Sequence, residues 1–145
     1  MTVTKYEYKI RYLVYCTKHP YWLYWNMGKK MNSLTKKLDA EWSRVVKQKA
    51  GNQCEVCGAI MQLNSHHIVG RENYRLRWDT RNGVCLCVSH HKFGKESAHM
   101  HPIWFDEWLK ENRTEDREYV NRVAMEIKKW TEDEKLDKLA FLRAI

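Results

Sequence analysis

The sequence predicts an α+β protein stapled by zinc, on three observations. Apolar residues alternate near the N-terminus, they recur at helical spacing on either side of the middle, and two short cysteine- and histidine-bearing knuckles bracket residues 54 to 90. A chain of 145 residues has room for one domain with a single core and at most a small appended subdomain. Three stretches follow: a β segment with a basic amphipathic helix (1–50), a metal-bearing core (51–102) and C-terminal helices packed on that core (103–145).

Tyr6, Tyr8, Ile10, Tyr12 and Val14 alternate with Glu7, Lys9 and Arg11, the period of a half-buried strand. The aromatic run Pro20–Trp25 that follows reads as a hairpin or irregular cap. From Ser33, the spacing of Leu34, Leu38, Trp42 and Val45 predicts an amphipathic helix ending near Gly51, with Lys36, Lys37, Arg44 and Lys47 elsewhere around it. Beyond residue 102, one helical stripe is Trp104, Phe105, Trp108 and Leu109, and a second is Val120, Val123, Ile127 and Trp130. Thr131 and Glu134 form a capping box for a last helix carrying Leu136 and Leu139.

Composition narrows the function. With 43% apolar residues, seven Trp and eight Tyr, the chain has ample surface to bury, which excludes intrinsic disorder. It has neither a membrane-spanning run nor a signal-like start, so a cytoplasmic protein is expected. Through Pro102 there are 17 Lys and Arg against 7 Asp and Glu, and from Ile103 there are 9 against 11. The basic excess lies in the first two-thirds, where it would attract a polyanion such as nucleic acid.

Five cysteines form an odd set, and in a reducing compartment they point to metal rather than disulfides. Cys54-Glu55-Val56-Cys57 and Cys87-Val88-Ser89-His90 share one spacing. Together they offer the four N/S ligands of a structural Zn²⁺. Cys85 competes with Cys87, and His91 with His90. The repeated two-residue gap favours Cys87 and His90, leaving Cys85 and Cys16 as core residues.

Between the knuckles lie Asn64-Ser65-His66-His67-Ile68-Val69-Gly70-Arg71, then Arg77 to Val84, and then Leu86 to Lys92. This succession resembles the HNH endonucleases, specifically phage and prophage members whose active site is flanked by zinc knuckles. The match covers about 50 residues, with a weaker echo at Ser97–His99 and Pro102–Trp108. The resemblance implies a ββα-metal core of the His-Me finger type. It makes His67 the general base, His66 a ligand of a catalytic divalent metal, Asn82 the residue that braces the loop or assists the metal, and His91 the closing ligand. His66 stands where an Asp is commoner, and histidine ligands favour Mn²⁺, Ni²⁺ or Zn²⁺ over Mg²⁺. His99 and His101 are open between completing the coordination, binding the scissile phosphate, and capping or core roles.

The chemistry is coherent without the family name. Phosphodiester hydrolysis needs a base for water, a cation at the leaving oxygen and a group that holds the base. His66 and His67 would face opposite sides of a regular strand, so a shared cavity requires a twisted strand end, which Ile68 before Gly70 permits. Arg71, Arg75, Arg77, Arg81, Lys92 and Lys95 surround the constellation, with Arg71 and Lys92 the preferred DNA phosphate contacts. The expectation is a DNA endonuclease leaving 5′-phosphate and 3′-hydroxyl ends. Its rivals are a zinc-stabilised DNA-binding protein that does not cut and a structural or partner-binding protein.

Overall fold

A computed structural model describes the backbone of residues 21–145 and the side chains from Ser33 onward. The alternating segment 6–14 and Cys16 lie outside the described residues. The chain divides between Thr35 and Lys36 into two units. Of the first, the helical backbone from Tyr21 and the side chains from Ser33 are described.

The architecture is mixed α+β, with a small antiparallel sheet among helices. Helix α1 (Tyr21–Lys49) is followed by the first knuckle, strand β1 (Leu63–His67), a long loop with a 3₁₀ turn at Thr80–Asn82, and strand β2 (Gly83–Cys87). A π turn (Ser89–Phe93) then leads to helices α2 (Pro102–Asn112), α3 (Thr114–Val123) and α4 (Glu132–Ala144).

Leu34, Leu38, Trp42 and Val45 of α1 are buried, as their spacing predicts. The helix begins earlier than expected, however, and Tyr21–Trp25 is helical rather than a hairpin or irregular cap. Aromatic residues disfavour helix only weakly, and Pro20 stands before the first turn, where proline is tolerated. At the other end Gly51 adopts φ +66°, and Gly51 and Asn52 donate back to Gln48 and Lys47. This left-handed cap stops α1 where the sequence places its end.

The strands pair with Leu63 opposite Cys87 and His67 opposite Gly83. β1 is half-buried throughout, whereas every residue of β2 is buried. Val84 and Leu86 pack with Phe105 and Leu109 of α2. Gly83 lies under α1, where a Cβ would strike Val46 and Trp42.

Proline opens α2, and the Thr131–Glu134 capping box opens α4 as expected. The second stripe does not run as one helix. α3 ends at Val123, Ile127 is 93% exposed, and Trp130 donates from Nε1 to the Tyr74 carbonyl. Tertiary contacts override the periodicity, because Asn73 Nδ2 donates to the Ala124 carbonyl and Arg75 pairs with Glu126. Among the described residues no helix is long and apolar enough to cross a membrane.

Candidate functional site

Two groups of metal-ligating side chains lie on either side of the His90–His91 dipeptide. In the first, the ligand atoms of Cys54, Cys57, Cys87 and His90 all lie within 4.8 Å of one another. Cys57 and Cys87 sulfurs are 3.9 Å apart, and His90 Nδ1 is 3.3 Å from Cys87 Sγ and 3.7 Å from Cys54 Sγ. A tetrahedron with Zn–S bonds of about 2.3 Å has edges of about 3.8 Å, so the cluster could hold a metal ion and is compatible with structural zinc. Burial raises the Cys54 thiol, but backbone N–H groups of Cys87, Cys57 and Val56 outweigh it and hold the thiol below its ordinary value, favouring the thiolate that binds metal.

The knuckle turns are built locally. Cys54 N–H donates to the Ala59 carbonyl, Gly58 N–H donates to the Cys54 carbonyl, and Gly58 takes φ +72°. Glu55 fastens the first knuckle to β2, exchanging backbone and side-chain bonds with Cys85 while its other carboxylate oxygen accepts from Arg113. Cys85 is fully buried outside the quartet, and burial beside Glu55 pushes its thiol up to about 11. The structure brings together the pair that the two-residue gap favoured, Cys87 and His90, with Cys54 and Cys57.

The second group is His66 from β1, His91 from the π turn and His99 from the loop behind it, again with ligand atoms within 4.8 Å. His99 arrives because Ala98 and His99 N–H groups donate to the carbonyls of His90 and His91. Phe105 stands edge-on to His66 at 5.0 Å. Burial, followed by the neighbouring His91 and His99, lowers the His66 pKa to about 3, and burial likewise lowers His91. Both shifts favour the neutral form of His66 and His91, the form that ligates metal. The exposed His101 occupies the N-cap position of α2 without a side-chain capping bond and belongs to neither group.

His67 is outside the triad. Its ring stacks on Trp42 at 3.7 Å and 7°, and its Nε2 lies 2.9 Å from the Arg77 carbonyl. A carbonyl can only accept, so Nε2 carries the proton and the Nδ1 lone pair is left to act as a base. Nδ1 has no hydrogen-bond partner among the described residues. Burial is the main reason the His67 pKa lies below its ordinary value. His66 and His67, consecutive on the strand, thus make separate engagements, His66 with His91 and His99 and His67 with Trp42 and the Arg77 carbonyl, as alternation of side chains dictates.

Asn82 is fully buried and braces the loop. Its Oδ1 accepts from Val69 N–H, and its Nδ2 donates to the carbonyls of Val69 and Leu76. Of its two expected roles, these bonds serve the bracing one. Arg71 and Lys92 are exposed. Arg77 and Arg81, also expected at DNA, pair with Asp39 at 2.7 Å and Asp116 at 2.7 Å, the Arg81 side chain remaining partly exposed. These pairs, and Glu55–Arg113, are not legible from local patterns, because the partners lie 35 to 58 positions apart.

No family model, curated protein or solved structure matches this chain.

Proposed function

We propose that this chain is a metal-dependent DNA endonuclease of the HNH type, with a ββα-metal core stapled by zinc. The observation that carries the reading is the convergence of His66, His91 and His99, beside a His67 whose Nε2 is already committed to a carbonyl. A core packing role alone does not call for three imidazoles turned toward one another away from carboxylates.

In this reading His66, His91 and His99 hold a divalent cation. Bound there, it supplies positive charge for the scissile phosphate and the departing 3′-oxygen. His67 Nδ1 takes a proton from water, the resulting hydroxide attacks phosphorus, the P–O3′ bond breaks and the departing 3′-oxygen takes a proton from solvent, leaving 5′-phosphate and 3′-hydroxyl ends. Arg71 and Lys92 hold the phosphate backbone without reading sequence.

A plasmid-nicking assay with Mg²⁺, Mn²⁺, Ni²⁺ or Zn²⁺ tests this. Wild type should cut, and His67→Ala should lose roughly a hundredfold or more in rate while still binding DNA. A wild-type protein that binds DNA without cutting would identify the zinc-stabilised DNA-binding alternative. Negligible, salt-insensitive affinity would favour a structural or partner-binding protein.

A further inference from the structure

Among the described residues, helix α1 contributes nothing to either group of ligating side chains, yet it touches the proposed base from two directions. Trp42 is 3% exposed and lies flat on the His67 ring. Its own plane is fixed, because Nε1 donates to the Asp79 carbonyl at 2.8 Å. Gly83, paired across the sheet with His67, has no side chain, and the space a Cβ would need is occupied by Trp42 and Val46. The indole therefore reaches the imidazole because of a glycine at that register position.

The second contact is less direct. Asp39, three residues before Trp42, accepts from Arg77 Nε at 2.9 Å and from Nη2 at 2.7 Å, and also from Trp78 Nε1 at 2.7 Å. Both Arg77 and Trp78 are thus tied to α1, and it is the Arg77 carbonyl that takes the His67 Nε2 proton. A bidentate guanidinium–carboxylate pair has a fixed geometry, so it fixes the backbone that carries this carbonyl.

The geometry points to Trp42 and Asp39 as positioning residues for His67, Trp42 setting the plane of the imidazole and Asp39 setting which nitrogen is free. The inference rests on the endonuclease reading. An aliphatic side chain at position 42 would fill the core, but it would leave the ring free to turn about χ2, which is broad for histidine. A base that turns away from its water loses rate without losing substrate.

The test compares Trp42→Leu, Trp42→Phe and Asp39→Asn in the full chain, at a temperature where each is folded. Cleavage is measured at saturating plasmid and Mn²⁺, and the His67 imidazole is followed by ¹⁵N NMR. Trp42→Leu should lower kcat about tenfold to a hundredfold, with KM for DNA and the Mn²⁺ titration moved by less than about twofold. Trp42→Phe keeps a flat face and should recover most of the rate. Asp39→Asn should lower kcat in the same selective way. In wild type the His67 ring protons should be shifted by the indole and Nε2 should be the protonated nitrogen. Trp42→Leu should lose the first signature and Asp39→Asn should weaken the second.

Wild-type kcat in both Trp42→Leu and Asp39→Asn overturns the inference while leaving the endonuclease reading intact. Equal losses in Trp42→Leu and Trp42→Phe, tracking lost stability, also overturn it. If Trp42→Leu fails to fold, Trp42→Phe and Asp39→Asn decide: unchanged kcat and an unchanged His67 tautomer in Asp39→Asn refute the positioning role. A wild type that never cuts removes the reading beneath the inference, and the inference with it.

Discussion

The Cys54/Cys57/Cys87/His90 quartet and the His66/His91/His99 triad are neighbours built from opposite chemistry. The quartet has three thiols and an imidazole, enough to close a tetrahedron, and leaves a bound ion no vacant position. The triad has imidazoles alone and one ligand fewer, which leaves room for water or a phosphate oxygen. Adjacent residues on one π turn, His90 and His91, feed the two groups. In the endonuclease reading proposed above, the difference separates an ion that holds the chain together from one that acts on a substrate.

The largest effect expected from breaking this comparison is on folding. Stripping zinc with a strong chelator, or substituting Cys54→Ala, should unfold the region around β2, since binding at such sites contributes on the order of 10 kcal/mol to folding. Circular dichroism melts would register it, and an unchanged melt would remove the structural role of the quartet. His66→Ala should do the reverse. It should keep zinc and the fold but lose the second metal ion and at least about a hundredfold in cleavage, read by metal analysis and plasmid nicking on the same sample.

Asn82→Ala sharpens the contrast between bracing and catalysis. It strands Val69 N–H and two carbonyls in the interior, so a loss of about 3 kcal/mol is expected in urea unfolding. A stable variant with no activity would return Asn82 to the metal.

Acid should loosen α1 from the loop that carries the Arg77 carbonyl. Burial raises the Asp39 carboxyl, but hydrogen bonds from Arg77 and Trp78 and the charges of Arg77 and His67 outweigh it, leaving the pKa below 3.8. The stability this carboxylate contributes is present above pH 3.8 and is lost as pH falls below it toward the lowered folded value. Acid unfolding of wild type should therefore be steeper across that window than that of Asp39→Asn. Parallel curves would deny the linkage.

The smallest effect separates exposed from ion-paired arginines. Arg71→Ala should reduce the salt dependence of DNA binding by about one phosphate contact. Arg81→Ala, which loses its partner Asp116, should leave that slope alone.

The features legible in the sequence are those with local causes. The knuckles follow from ligand spacing, the α4 start from Thr131 and Glu134, and the α1 stripe and its end from periodicity and Gly51. His66 and His91 were expected as partners through a resemblance, whereas His99 joins them through a loop that folds back onto the π turn, which spacing does not encode. The end of α3 was missed because Asn73 and Arg75, some fifty residues earlier, hold Ala124 and Glu126. Trp42 was visible only as one apolar position in a stripe. Its stacking on His67 depends on how α1 lies across Gly83, and no pattern within the helix specifies that.

The most direct measurement is metal stoichiometry taken alongside cleavage. With the quartet loaded with zinc, Mn²⁺ or Ni²⁺ is titrated into wild type and His66→Ala while plasmid nicking is followed. The account predicts a second equivalent bound by wild type alone, with activity rising as it binds. One equivalent in both proteins, or cleavage indifferent to the second ion, would contradict it.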